Sequence, residues 1–388
     1  METAIREFRD RKIFLTSEIE GGNAYDFQKF PGGVYSFTPK RDPGEEYSSQ
    51  AYYFKFSIEN LQKDPTDVTI TAIANFDEIW KGWQSSIHPT IWIYSPNHQK
   101  QPIRLSSDRV RATPRSMSIN LTLRSYETLI ISNMLTLSYT KLVNEVENVA
   151  NEYPTFLKLT EIGRSPLENP IYSIKVNPKI DSSNLFKILI GGTSQPNEFG
   201  DYASLLVLQQ FLKKGAEFWD DFSTKFSIEF IFFQNPDGMI QGTNMVNSKG
   251  ENLFFSWDND RNSSLKENTA IWDYIIIEPP NFYLEMHSFF QDHKTIRPYT
   301  FPIELLSEKR DQRLYTKLSK NLIKFSNGMK EEIHIDQPYF KDTLCYQLME
   351  KHQTLCMQYK LHSRNSISHT TQTVWKVFSE ILKTLKRR

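Results

Sequence analysis

The sequence predicts an α/β chain with a β-rich front, and three observations carry that reading. Short segments of period-two alternation fill the first 137 residues, with no long helical pattern between them. From residue 138 onward, apolar strand-like runs alternate with helix-like segments, the pattern of a sheet covered on both faces. The chain can also build a sizeable core: 39% of its 388 residues are hydrophobic, and 27 Phe and 18 Tyr supply large buried surfaces. Two domains are therefore expected. Residues 1–137 should form an N-terminal antiparallel β-sandwich, and residues 138–388 a mixed-sheet α/β domain.

The elements follow in order. In "YYFKFSIEN" Phe54, Phe56 and Ile58 alternate with Lys55, Ser57 and Glu59, which is a half-buried strand. "DVTITAIANF", "TIWIYS" and "MSINLTLRS" repeat the period and are separated by Pro, Gly, Asn and Asp. "SYTKLVNEVENVANEY" sets Leu142, Val143, Val146, Val149 and Ala150 on one helical face, and Pro154 stops it. "PIYSIKV", "LFKILIGG", "FSIEFIFFQNPDG" and "NFYLEMHSFF" then read as strands, with one helix expected over "DYASLLVLQQFLKKGAEFW". The tail "TQTVWKVFSEILKTLKRR" is an amphipathic helix with a basic end, which complements its macrodipole.

Charge and cysteine content narrow the function classes. Lys plus Arg equals Asp plus Glu at 46 each, so no global field points to nucleic acid or to an anionic membrane. No apolar run reaches the roughly 18 residues of a membrane span, and "METAIREFRDRKIF" has no apolar signal core. Cys345 and Cys356 are the only cysteines, which suits free thiols in a reducing, cytoplasmic setting. A buried thiol is the simpler reading of Cys356, since no histidine adjoins it in sequence.

The functional clue is "ILIGGTSQPNEFGD", where an apolar strand ends in a small-residue turn just ahead of a helix. Open α/β sheets build their sites at such turns. Gln195 and Glu198, three apart, have the spacing of two ligands to one ion, yet an amide is a poor zinc ligand. Further on stand "NPDG" at 235–238, "GTNMVNSKGENLFFSW" and "LEMHS". In this order, together with "EIGRSPLENPIYSIKV", these stretches resemble the zinc metallocarboxypeptidases over residues 138 to 388. The β-rich front is similar to that of the cytosolic carboxypeptidase subfamily. The resemblance implies a carboxypeptidase (phosphorylase/hydrolase-like) domain, a zinc cofactor and a peptide or protein ligand.

It also implies roles that this chain fills with the wrong side chains. The three zinc ligands of the family fall on Gln195, Glu198 and His287, so the first is a neutral amide and zinc binding should be weakened. The general-base glutamate falls on Gln358 in "TLCMQYKL", which cannot take a proton; such a base contributes about 100- to 10,000-fold. The carbonyl-polarising arginine falls on Met245. The Asn-Arg clamp for the substrate's terminal carboxylate falls on Phe254 and Phe255, which offer no charged fork. Asn247, Gly250, Leu253 and Trp257 match the family around these changes.

The expected function is therefore a carboxypeptidase-fold protein that has lost zinc peptidase activity and acts by binding or regulation. The alternative is an active metallohydrolase of altered specificity, holding a metal through Gln195, Glu198 and His287. A third reading uses Trp80, Trp83 and Trp92 of the front domain as a stacking platform, although Trp92 alternates like a core residue. Asp292 and His293 are candidates for a displaced ligand. Taken without the family, Glu198 is equally the acid of a helix's first turn. The sequence names neither the ligand nor the oligomeric state.

Overall fold

The computed structural model describes residues 5–43, 52–73, 90–95, 101–113, 116–177, 185–257, 265–289, 296–326 and 329–387. Trp80, Trp83, Asp292 and His293 lie outside them. The chain divides into two compact units. The first comprises Met1–Tyr139, Gly238–Glu251 and Phe290–Asp292; the second comprises Thr140–Asp237, Asn252–Phe289 and His293–Arg388.

The first unit contains β1 (Glu7–Arg9), β2 (Ile13–Thr16), β3 (Tyr25–Phe30), β4 (Val34–Thr38), β5 (Lys55–Asn60), β6 (Thr66–Ile73), β7 (Trp92–Tyr94), β8 (Ile103–Arg104), β9 (Val110–Thr113), β10 (Ser116–Leu123) and β11 (Thr128–Ser132). They form two sheets, ordered β1-β2-β5-β11-β7-β8 and β3-β4-β6-β10-β9. Alternation decides which side chains turn inward. Val68, Ile70 and Ala72 of β6 are buried, as are Met117, Ile119 and Leu121 of β10 across from them. Inward residues of both sheets, with Phe37, Phe54 and Phe56 among them, share one hydrophobic cluster. One pair departs from the antiparallel expectation: β4 runs parallel to β6. Between them in sequence stands β5, which belongs to the other sheet. Trp92 is a core residue, 2% exposed.

The second unit is built on a mixed sheet of β12 (Leu157–Arg164), β13 (Pro170–Val176), β14 (Phe186–Gly192), β15 (Phe226–Phe232), β16 (Phe282–Phe289), β17 (Arg297–Thr300), β18 (Ile333–His334) and β19 (Leu355–His362), in the order β12-β13-β15-β14-β16-β19-β17-β18. The central strands β15, β14, β16 and β19 are mutually parallel, while β13 joins β15, and β17 joins β19, antiparallel. The parallel strands are buried almost throughout, which explains their continuous apolar runs.

The helices are α1 (Tyr139–Glu152), α2 (Gly200–Lys213), α3 (Gly215–Asp220), α4 (Pro236–Gln241), α5 (Lys266–Ile277), α6 (Lys309–Leu322), α7 (Leu344–His352) and α8 (Ile367–Lys386). Of the stripe expected in α1, Leu142, Val146, Val149 and Ala150 are buried and Val143 is half-buried. The single helix expected over 201–219 breaks in two, because Gly215 adopts φ +74°, which a continuing helix cannot accommodate. Among the described residues no helix is long and apolar enough to cross a membrane. The carboxyl ends of β14, β16 and β19 lie side by side, and there the sheet presents its polar side chains.

Candidate functional site

The loop 193–199 joins β14 to α2 and is held close against β16. A Cβ on Gly192 would lie 2.4 Å from the Asp201 nitrogen, and one on Gly200 would lie 2.2 Å from the Met286 carbonyl oxygen. Only glycine lets strand end, helix start and neighbouring strand approach this closely. Hydrogen bonds complete the attachment. The Thr193 N–H donates to the Met286 carbonyl (3.1 Å), the Phe199 N–H to Ser288 Oγ (3.0 Å), and the Ser288 N–H to Glu198 Oε2 (2.5 Å). Asn235 Nδ2 donates to the Ser194 carbonyl (3.0 Å), so the intact "NPDG" turn also braces the loop. Glu198 is thereby fixed beside the end of β16.

On β16 the strand period puts Glu285 and His287 on one face, and both are buried. His287 Nε2 lies 3.0 Å from Glu285 Oε2; a carboxylate only accepts, so Nε2 carries the proton. The same Glu285 oxygen accepts from Gln358 Nε2 (2.9 Å) and lies 3.7 Å from Cys345 Sγ. Parallel pairing with β19 sets these neighbours: Glu285 is opposite Gln358, and His287 is opposite Lys360. The other ring nitrogen, Nδ1, is 3.2 Å from Glu198 Oε2 but lies off hydrogen-bond geometry and has no hydrogen-bond partner among the described residues. The Phe254 ring stands edge-on to His287, centroids 5.3 Å apart at 80°. Phe254 belongs to an aromatic cluster with Phe255, Phe340 and Tyr339.

The electrostatics follow from that arrangement. Burial is the largest influence on His287 and opposes its charge, but Glu198 and Glu285 together outweigh it and raise its pKa. Burial lowers the pKa of Lys360, against the pull of the same two carboxylates. Its ammonium lies over the Tyr299 ring, 4.8 Å from the centroid. Burial, reinforced by Glu198, pushes the Tyr299 hydroxyl up to about 12. A neutral His287 would turn a lone pair toward the Glu198 carboxylate. The pair therefore calls for a proton on Nδ1 or for a cation between the two groups.

A zinc site makes a sharper demand. His287 Nδ1 and Glu198 fit two of its positions, and Glu285 on Nε2 supplies the outer carboxylate that commonly orients a ligating histidine. A catalytic zinc needs a third protein ligand. Among the described residues no group of three His, Cys, Asp or Glu could hold a metal ion, and Gln195 contributes only a neutral amide. This residue set does not fit a three-ligand zinc centre.

Of the residues singled out from sequence, Glu198, His287, Phe254 and, through Glu285, Gln358 come together. Gln195 lies in the same loop, where its carbonyl accepts the Glu198 N–H (3.1 Å). Phe255 is one ring further out, against Tyr339 and Phe340. Met245 belongs to the first unit: Asp42 holds its N–H (2.6 Å), and Tyr52 Oη donates to its sulfur (3.2 Å). Asn247, Leu253 and Trp257 are buried, and Gly250 takes φ +82°. Both cysteines are free and buried. Sequence reasoning missed Glu285 and weighed Lys360 only as a substitute base, which it cannot be. Each was visible as the i±2 neighbour, on the same strand face, of a residue already under suspicion.

With this geometry in hand, the relatives are informative. Residues 142–262 match the profile of the zinc carboxypeptidase family. The chain resembles the crystal structure of a metallo-carboxypeptidase from Burkholderia cenocepacia at 13% identity and TM-score 0.76, covering 97% of this chain and 99% of that one. It also resembles a metallo-carboxypeptidase from Pseudomonas aeruginosa in complex with (2-guanidinoethylmercapto)succinic acid, at 12% identity and TM-score 0.73, over 96% and 99% of the two chains. No curated protein matches. The fold is that of a metallocarboxypeptidase.

Proposed function

We propose that this metallocarboxypeptidase-fold protein has exchanged zinc peptidase chemistry for binding or regulation, with a peptide or protein as its ligand. One observation carries the reading: Phe254 packs its ring edge against His287 and joins Phe255, Phe340 and Tyr339 in an aromatic cluster. Where the resemblance asks for an Asn-Arg clamp, the site offers phenyl rings, which cannot neutralise a carboxylate. Gln358 supports the same reading, because its amide donates to Glu285 where a base would need to accept a proton. The site suits apolar or aromatic side chains of a ligand better than a charged chain terminus.

A second reading, a metallohydrolase acting on substrates without a free carboxylate, is favoured by the bare His287 Nδ1 facing Glu198. Elemental analysis of freshly purified protein beside a Gln195→His variant separates the two. We expect the native chain to carry far less than one zinc and the variant to approach one per chain, since imidazole restores a third strong ligand. Native protein with about one zinc per chain and chelator-sensitive turnover of capped peptides or esters would establish the second reading instead.

A further inference from the structure

The second unit has a cavity, of about 440 Å³, on the sheet face opposite Gln358. Antiparallel pairing fixes that placement: Tyr299 pairs with Gln358, so its neighbour Thr300, which lines the cavity, points to the other face. Three carboxylates, Glu304, Glu332 and Asp336, line it. No lysine or arginine among the described residues pairs with them; the imidazole of His334 stands beside Glu332, its Nε2 3.8 Å away and its Nδ1 hydrogen-bonded to Thr300 Oγ1 (2.8 Å). The acids do not converge as a metal requires, since no described group of three such side chains could hold an ion. Phe301 and Ile335 give the cavity apolar walls.

A second, independent feature lies within. Ser319 of α6 lines the same cavity, is 1% exposed, and its Oγ has no hydrogen-bond partner among the described residues. A buried hydroxyl in that state is costly and marks a place where a ligand or water completes the structure. We propose that this cavity binds a short aliphatic diamine. One ammonium sits among Glu304, Glu332 and Asp336, the methylene stem lies along Phe301 and Ile335, and the second amino group donates to Ser319 Oγ. A metal ion would leave the apolar walls unused, and an anion would be repelled at the rim.

Titration calorimetry of the full chain with 1,4-diaminobutane tests this, with n-butylamine and 1-butanol as one-ended and uncharged comparisons. We expect saturable diamine binding at about 1 mM or tighter, weaker butylamine binding and none of butanol. Glu332→Gln with Asp336→Asn should weaken both amines by roughly tenfold or more. Ser319→Ala should remove the advantage of the diamine over butylamine. A thermal melt of each variant reports on folding, and the rim carboxylates Glu304 and Asp336 are exposed, so Glu304→Gln serves if the double variant unfolds. No saturable diamine signal to about 10 mM, equal binding of butanol, or amine binding unchanged in folded carboxylate variants would overturn the proposal.

Discussion

Two buried polar clusters of the second unit invite comparison. Around Asp237, in the "NPDG" turn, both carboxylate oxygens are engaged: Oδ1 accepts from Ser165 Oγ and from Asn169 Nδ2 (2.8 Å), and Oδ2 from the Leu167 N–H (3.1 Å). Around His287 the polar groups are only partly matched. Nδ1 and Gln358 Oε1 have no hydrogen-bond partner among the described residues, and neither do Ser194 Oγ and both side-chain polar atoms of Asn197 in the adjoining loop. A saturated cluster holds a fold together, while unmatched buried groups at strand ends are where water or a ligand completes the bonding. The difference separates a turn on which the fold depends from the cluster to which the proposed function is assigned.

The comparison breaks most readily at Asp237. Asp237→Ala would strand the buried Ser165 hydroxyl and the part-buried Leu167 and Asn169 donors, so we expect a loss of about 2 kcal/mol or more in urea unfolding. A loss below about 1 kcal/mol would mean that the cluster is not structural.

Asp201 is the intermediate case and sharpens the contrast through pH. It is buried; its Oδ1 accepts the N–H of Phe233 (3.1 Å), a residue held at φ +65°. Burial pushes its pKa from 3.8 up to about 7, with the Phe233 bond working against the shift. Between those values the folded chain keeps a proton that the unfolded chain has released. Stability therefore falls as pH rises from about 4 to about 7, by a few kcal/mol at most. Burial also raises Asp42, to about 6, and adds to the same slope over a narrower window. Asp201→Asn should flatten most of it when unfolding is followed at several pH values. An unchanged slope would show that Asp201 is charged when folded.

The smallest effect belongs to the open cluster. In Glu198→Gln the amide oxygen still accepts the Ser288 N–H, and the charge facing His287 Nδ1 is gone. We expect a stability change within about 1 kcal/mol in either direction, read by the same unfolding assay. A loss as large as that of Asp237→Ala would make the two clusters alike.

Much of the fold was legible in advance because its signals are local. The strand 170–176 and the helix over 139–152 lie where alternation and helical spacing put them, and the apolar run 186–192 forms a strand of the parallel core. The break at Gly215 was not read, since a glycine inside a helical pattern is tolerated until the tertiary fold asks it for a positive φ. The parallel pairing of β4 with β6 escaped notice for a related reason: period two tells which face a side chain takes, not which strand lies beside it.

The candidate site divides along the same line. From the sequence alone came the residue types: a glutamine at 195, a carboxylate at 198, an imidazole at 287, phenyl rings at 254 and 255, and an amide at 358. Even the pairing of Glu285 with His287 was there, as a consequence of strand alternation. Only the tertiary structure brought β14, β16 and β19 side by side, set Gln358 against Glu285 and Lys360 against His287, and left Nδ1 facing Glu198. The side-chain period is a property of each strand by itself. The order and register of strands come from burying all of them at once, across tens of residues that no local pattern spans.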